Sequence, residues 1–202
     1  MARIAVLASG VGTNLQALLD DPIVGPNVAL VVSDRPQAPA LERARRAGIQ
    51  SVVVEPSGFA NRDPYDAALV ALLEDEGIDV VVLAGFMRLL GPTFVDAFAG
   101  RILNVHPSLL PAFPGGTSVA DALAWGVKVT GVTVHIVDEE VDHGPIVAQE
   151  SLEVYPDDDW ETLESRVHEV EHRLLPRAVQ ALIEGRVKVE GRVVSVLEEE
   201  EG

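Results

Sequence analysis

One stretch of the chain decides its architecture, and it reads Ile102-Leu103-Asn104-Val105-His106-Pro107-Ser108-Leu109-Leu110-Pro111. Its apolar start is typical of a buried parallel strand, and its prolines cannot extend a ladder of backbone hydrogen bonds. Asn104 and His106 are two residues apart, so a strand presents both side chains on one face. Ligands bind at the C-terminal ends of strands in open α/β sheets. The stretch therefore predicts an amide and an imidazole beside a ligand; a polar strand end with a hydrogen-bonded core histidine is the alternative.

Length and composition indicate one domain with an aliphatic core. The chain has 202 residues, of which 48% are apolar and 4% aromatic, and this length is ample for a single large core. No apolar run approaches the ~18 residues of a membrane span. With no cysteine there is no disulfide or thiolate metal site. We expect a cytoplasmic, single-domain protein over residues 1–197 with an acidic, disordered tail over 198–202.

The net charge of −17 restricts the partners of the protein. Nucleic acids need clustered lysine and arginine side chains, so we expect no nucleic-acid partner. Because no apolar run is long enough for a membrane span, we also expect no membrane partner. We expect small-molecule substrates instead, and an anionic one must be held by local groups against an unfavourable overall field. The sequence leaves open whether the chain is a monomer or a homodimer.

The order of the predicted elements indicates an α/β fold. Strands alternate with helices over the first two-thirds of the chain, which is typical of a mostly parallel, doubly wound, Rossmann-like sheet flanked by helices. A strand over 131–136 and a hairpin over 187–196 predict an antiparallel C-terminal portion. Apolar residues at helical spacing over 160–182 predict a long helix, with a kink or break at Pro176.

Two loops follow predicted strands and are candidate binding elements. The first is a glycine turn over residues 9–14, whose backbone N–H groups and following helix would suit an anion. It is neither a Walker A loop nor a complete dinucleotide fingerprint, so a tight turn without a ligand is the alternative. The second, over 85–90, mixes large apolar side chains with one arginine. It would suit a flat amphipathic ligand, unless Phe86, Met87 and Leu90 pack in the core.

Four segments together resemble the folate-dependent formyltransferase superfamily. They cover residues 9–15, 83–88, 104–111 and 131–145, in the family's order and across nearly the whole chain. The string Asn-x-His-Pro-Ser-Leu-Leu-Pro followed by Asp-x-Gly-Pro is highly specific for the superfamily. The opening Ser-Gly-x-Gly-Thr-Asn is similar to the members that act on phosphoribosylglycinamide.

The resemblance implies transfer of a formyl group from 10-formyltetrahydrofolate to the amine of 5′-phosphoribosylglycinamide, a step of de novo purine (IMP) biosynthesis. It implies no metal and no covalent enzyme intermediate. The matching positions for phosphoribosylglycinamide are Gly12, Thr13, Asn14, Pro107 and Glu171. The matching positions for the folate are Arg62, Met87, Arg88, Leu89, Leu90 and Asn104.

The catalytic residues that the resemblance implies are Asn104, His106 and Asp142. Asn104 and a protonated His106 would donate hydrogen bonds to the oxyanion that forms when the amine attacks the formyl carbon. Asp142 would favour the imidazolium, raise the pKa of His106 and organise a water that relays the proton. The chain departs from the family at 114–119, which lacks a histidine-containing pattern, and at His143, which we expect to face water.

Other functions stay open at this stage. Methionyl-tRNA formyltransferases and formyltetrahydrofolate hydrolases share the Asn, His and Asp, but each has an additional domain for which we expect no room. A dehydrogenase would use the glycine turn for a pyrophosphate and Asp34 for a ribose. A metal hydrolase would use His135, Asp142 and His143, which lack a recognised ligand spacing. Ser108 as a nucleophile lacks an elbow motif.

Overall fold

A twisted sheet of seven strands forms the centre of the molecule. A computed structural model describes residues 1–198. The strands are β1 Ile4–Leu7, β2 Val28–Ser33, β3 Gln50–Val53, β4 Val80–Leu83, β5 Ile102–His106, β6 Val129–Ile136 and β7 Ile146–Glu153. Their order is β3-β2-β1-β4-β5-β6-β7. The first five strands pair in parallel, whereas β6 and β7 are antiparallel.

Six helices cover the two faces of this sheet. They are α1 Thr13–Asp20, α2 Pro39–Arg46, α3 Arg62–Asp75, α4 Pro92–Ala97, α5 Ser118–Trp125 and α6 Trp160–Ile183. Alternate residues of β1 enter different cores: Ile4 and Val6 pack with α1, α2 and α6, and Ala5 and Leu7 pack with α3 and α4. Strands buried on both faces are what a doubly wound sheet requires, so the predicted fold class is confirmed.

The long helix α6 differs from its prediction at one residue. It begins with a capping box between Asp159 and Thr162 and continues through Pro176 without the predicted break. A proline inside a helix costs about 3 kcal/mol because it removes a backbone hydrogen bond and crowds the preceding turn. Here Leu175 and Val179, on either side of the proline, are fully buried. Burying each such side chain contributes roughly 1.5–3 kcal/mol, which offsets that cost.

The C-terminal hairpin was predicted correctly. It consists of β8 Val187–Glu190 and β9 Val193–Val196 and forms a separate two-stranded sheet, with β9 packed against β7. Residues 199–202 of the predicted acidic tail lie outside the described residues. Within residues 1–198, no helix is both long and apolar enough to cross a membrane.

The strand order brings several loops to one edge of the sheet. β1, β4 and β5 are neighbours and parallel, so the loops after them leave at the same edge. The first two loops are bonded directly, since the Ser9 N–H donates to the Gly85 carbonyl at 3.1 Å and the Met87 N–H donates to Ser9 Oγ at 2.8 Å. The loop between β6 and β7 reaches the same region through Asp142, which is bonded to Gly115. This edge holds the candidate site.

Candidate active site

Strands β5 and β6 place four polar side chains on one face. The antiparallel register pairs Asn104 with His135 and His106 with Thr133. Because residues two apart on a strand share a face, these two pairs form a polar patch within an otherwise aliphatic sheet. Asn104, His106 and His135 line a cavity of about 350 Å³. The patch therefore faces a space that can hold a small molecule.

The environment of His106 fixes which of its nitrogens carries a proton. Nε2 lies 2.9 Å from the Phe113 carbonyl, and Nδ1 lies 3.3 Å from Asp142 Oδ2. A carbonyl only accepts hydrogen bonds, so we assign the proton to Nε2. The Ser118 hydroxyl is also near Nε2, at 3.0 Å, and donates to the Gly115 carbonyl at 2.9 Å. A second proton, on Nδ1, would be donated to Asp142.

Burial rather than charge decides the protonation of His106. Its side chain is 5% exposed, and this burial lowers its pKa. The Phe113 carbonyl and Asp142 act in the opposite direction, and the net pKa stays below the ordinary value of a histidine. The expectation that Asp142 raises the pKa is right for that contact but wrong for the net shift. His106 is therefore predominantly neutral near pH 7.

The Asp142 carboxylate lies close to His106, His135 and the side-chain amide of Asn104. Its Oδ2 accepts the Gly115 N–H at 2.7 Å, and its Oδ1 lies 3.4 Å from Asn104 Nδ2 and 3.7 Å from His135 Nε2. Burial raises the pKa of Asp142, but His135, the Gly115 N–H and His106 together lower it further. The net pKa is below the ordinary value of an aspartate, so the carboxylate is ionised at neutral pH. The structure thus brings Asn104, His106 and Asp142 together.

His135 is a site residue that the sequence reasoning considered only as a metal ligand. Its Nδ1 lies 3.0 Å from the Ile136 carbonyl, which assigns a proton to Nδ1, and its Nε2 lies 3.2 Å from Asn104 Nδ2. The contact at Nε2 orients the Asn104 amide. The alternation of residues 131–136 places His135 on the face opposite to the apolar side chains. Only the register of β6 with β5 shows that His135 lies opposite Asn104.

The loop over 85–90 forms another wall of the cavity. Phe86 is 9% exposed and packs in the core, whereas Met87 and Leu89 are each 63% exposed. The core-packing alternative is therefore correct for Phe86, correct in part for Leu90, which packs against the same core, and wrong for Met87. Arg62, Met87, Arg88, Leu89, Leu90 and Pro107 all line the cavity. Large apolar side chains left exposed around a concave surface are typical of a binding site.

In the glycine turn, the backbone carbonyl groups accept hydrogen bonds from the protein, and the backbone N–H groups are available to a ligand. The Gly10 carbonyl accepts the Ala40 N–H at 3.2 Å, the Val11 carbonyl accepts Arg43 Nε at 2.8 Å, and the Gly12 carbonyl accepts the Gln16 N–H at 2.9 Å. Within residues 1–198, the N–H groups of 11–14 have no acceptor. Unpaired N–H groups at the start of a helix form an anion site. This arrangement supports the anion interpretation of the turn.

Glu171 reaches the glycine turn from α6. It is 5% exposed, and Asn14 Nδ2 donates to its Oε2 at 2.9 Å. Burial raises the pKa of Glu171, although Asn14 and His168 act in the opposite direction. Thr13 and Asn14 begin α1, which packs against α6. The residues matched to phosphoribosylglycinamide therefore form a group at the turn, and Pro107 lies in the adjoining cavity.

We predict that Glu171→Gln raises the thermal stability of the protein. The pKa of Glu171 is raised in the folded state, so the fold loses stability as the pH rises above the unfolded-state pKa, and the loss is complete once the pH exceeds the folded-state pKa. Glutamine keeps the acceptor for Asn14 without the charge. Thermal melts at pH 8 should show a Tm higher by about 2–4 °C, which roughly 1 kcal/mol is worth in a chain of this size. The difference should shrink toward pH 4, and a lower Tm at pH 8 would contradict the prediction.

His143 is exposed to water, as expected, with 46% of its side chain accessible, and it also makes two polar contacts. Its Nδ1 lies 2.8 Å from Asp138 Oδ2, and its carbonyl accepts Arg192 Nη2 at 2.6 Å. The turn of the C-terminal hairpin thus contacts the loop that carries Asp142. His143 is directed to Asp138 and away from Asp142, and within residues 1–198 no three His, Asp or Glu side chains group closely enough to hold a metal ion.

Comparison with known proteins relates this geometry to a family. The family model described as formyl transferase matches residues 2–179. A phosphoribosylglycinamide formyltransferase of Mycobacterium tuberculosis is 49% identical over 198 residues, which is 96% of this chain and 91% of that protein. A trifunctional purine biosynthetic protein adenosine-3 of Drosophila melanogaster is 45% identical over 198 residues, and the chain spans only 15% of its length.

The solved structures agree with these relatives. The crystal structure of glycinamide ribonucleotide transformylase 1 from Symbiobacterium toebii superposes with a TM-score of 0.95 at 49% sequence identity. The superposition covers 98% of this chain and 95% of that one. Both the sequence match and the fold match extend over the strands and loops that build the cavity and the glycine turn. The chain therefore belongs to the formyl transferase family.

Proposed function

We propose that the chain transfers a formyl group from 10-formyltetrahydrofolate to the amine of 5′-phosphoribosylglycinamide in purine biosynthesis. The observation that carries this proposal is the meeting of Asn104, His106 and Asp142 in one cavity beside an anion-binding turn. Relatives that the chain matches over nearly their full length have the name phosphoribosylglycinamide formyltransferase. Members of the family use a formyl-folate co-substrate.

The two substrates fit different parts of the site. The phosphate of phosphoribosylglycinamide would accept the unpaired N–H groups of Gly12, Thr13 and Asn14, with Glu171 beside its ribose. The folate ring system is flat and partly apolar, and it would lie against Met87, Leu89 and Leu90. Arg62 and Arg88 would meet its polar and charged groups. Pro107 lines the cavity next to His106 and would contact the glycinamide part.

The side chains provide for the chemistry of the transfer. Attack of the amine nitrogen on the formyl carbon forms a C–N bond and places negative charge on the formyl oxygen. Asn104 Nδ2 is the donor available to that oxygen in the resting site, and His106 becomes a second donor only when its Nδ1 is protonated; each such donor is typically worth about 2.7–4 kcal/mol. Asp142 stabilises the imidazolium that forms when His106 Nδ1 transiently takes the proton that the amine loses. The bond to the folate nitrogen then breaks, and that nitrogen takes a proton that the amine has lost, relayed by a water held at Asp142.

This function is tested by following loss of the formyl donor. The protein is incubated with 10-formyltetrahydrofolate, with and without phosphoribosylglycinamide, and tetrahydrofolate and the formylated product are quantified. We expect turnover only when the amine is present, with equal amounts of the two products. Turnover without the amine would indicate a hydrolase, and no turnover in either mixture would contradict the proposal.

The dehydrogenase alternative gains no support from the geometry. It required Asp34 to bind ribose hydroxyl groups, but Asp34 is 6% exposed. Asp34 is also not among the residues that line the cavity.

A further inference from the structure

Helix α2 packs directly against the glycine turn. Its Ala40 N–H bonds the Gly10 carbonyl, and its Arg43 bonds the Val11 carbonyl through Nε at 2.8 Å. Arg43 Nη1 also donates to Gln16 Oε1 on α1 at 3.1 Å. A Cβ atom on Gly12 would lie 2.8 Å from Ala40 Cβ and 3.4 Å from Arg43 Cδ. The turn and α2 are therefore in close contact, with the arginine across their junction.

The bond from Arg43 sets the direction of one backbone donor. The carbonyl of Val11 and the N–H of Gly12 belong to the same planar trans peptide, so they point in opposite directions. Holding the carbonyl against α2 directs the N–H away from α2. Gly12 has a φ of +76°, which is a left-handed conformation. Glycine adopts positive and negative φ about equally readily, so a contact from outside the turn is needed to select this one. A charged donor makes this contact about twice as strong as a neutral one would.

We propose that Arg43 is a positioning residue for the phosphate of the acceptor substrate. It directs the Gly12 N–H toward the phosphate. Because it is bonded to Val11, its guanidinium also places a positive charge next to the N–H donors of the turn, in a chain whose net charge is −17. The proposal rests on the proposed function, because the phosphate in question is that of phosphoribosylglycinamide. Arg43 makes its contacts from α2, so it acts through the turn and not as a catalytic group.

The same helix offers a matched control. Arg45 and Arg46 both pair with Glu42, at 2.6 Å and 2.8 Å, and their side chains are 71% and 74% exposed. Exposed pairs within one helix contribute little to stability. Arg46→Ala therefore removes one positive charge from α2 without removing a bond to the glycine turn, whereas Arg43→Ala removes both.

Binding of ribose 5-phosphate, followed by calorimetry, tests the proposal without any turnover. We expect Arg43→Ala to weaken this binding by about tenfold or more, as the loss of a charge-assisted contact and its aligned donor implies. The KM for phosphoribosylglycinamide should rise in parallel, while the KM for 10-formyltetrahydrofolate stays within about twofold. Arg43→Lys should recover part of the loss, since an ammonium can reach one carbonyl but cannot also bond Gln16.

Three outcomes would overturn the proposal. Unchanged binding of ribose 5-phosphate by Arg43→Ala would show that the turn needs no support from α2. An equal loss in Arg46→Ala would reduce the effect to the charge of the helix, and an equal rise of both KM values with a lower Tm would indicate a general loss of structure. If the wild-type protein binds ribose 5-phosphate but does not formylate phosphoribosylglycinamide, the proposed function fails while the role of Arg43 at the anion site is still decided by binding.

Discussion

Asp142→Asn is expected to lower kcat by about 10²–10³-fold, the size of effect seen when one preorganised electrostatic contact is lost. Asparagine keeps an oxygen for the Gly115 N–H, so the loop can retain its path. It removes the charge that faces His106 Nδ1 at 3.3 Å and that stabilises the imidazolium. Both KM values should change by less than about fivefold, because neither substrate's charged groups are paired with Asp142 in the proposed binding mode. Steady-state kinetics with each substrate varied in turn provide the measurement.

The same variant has a second readout at His106. Asp142 acts to raise the pKa of His106 against the larger effect of burial. Removing the carboxylate should therefore lower that pKa further, and an NMR titration of the imidazole should show its midpoint at a more acidic pH than in the wild type. Asp121→Asn, which removes a carboxylate bonded to Thr117 on the surface, serves as the control. A kcat near that of the wild type would remove Asp142 from the mechanism.

Much of the architecture could be predicted because it depends on local patterns. The apolar run that ends in Asn104 and His106 has the spacing of a strand, and a strand of that type fits only a sheet covered on both faces. The glycine turn precedes a helix, so its unpaired N–H groups follow from helix geometry. These features need no knowledge of distant residues, and the structure places them as the sequence indicates.

Features that depend on tertiary contacts could not be predicted in the same way. The contact between Arg43 and Val11 joins residues 32 positions apart, and the pairing of Asn104 with His135 depends on the register of two strands. The net pKa of His106 was misjudged because a nearby carboxylate can be inferred from a motif, whereas the depth of burial cannot. Of the kink or break predicted at Pro176, the break is absent for a related reason, since the packing that holds α6 together is supplied by the sheet.

The position of Asp142 depends on a close approach between two backbone segments. Asp142 itself has a φ of +50°, which is strained for a residue with a side chain. Two residues later, Gly144 passes so near β6 that a Cβ atom on it would lie 1.8 Å from the Ile136 carbonyl oxygen. The Ile136 N–H then bonds the Pro145 carbonyl at 2.9 Å and returns the chain to the sheet. The Asp-x-Gly-Pro motif thus has a steric reason.

Gly144→Ala is therefore expected to destabilise the fold and to impair the site together. Gly144 does not have a positive φ, so the cost of a side chain there is steric. Backbone atoms block the added methyl group, and relief requires movement of the loop that carries Asp142. Overpacking of this kind costs on the order of 3 kcal/mol, or roughly 6–12 °C in Tm for a chain of this length. Because the loop must move, kcat should fall by at least about tenfold even at temperatures where the variant is folded.

Gly58→Ala is the matched control for this prediction. Gly58 also lacks a positive φ, but nothing lies within 4 Å of a Cβ atom built on it. Its Tm and kcat should stay close to those of the wild type, which isolates the contact with the Ile136 carbonyl as the cause. If Gly144→Ala lost stability but kept its kcat, the loop would tolerate displacement. Asp142 could then not depend on this backbone approach for its contact with His106.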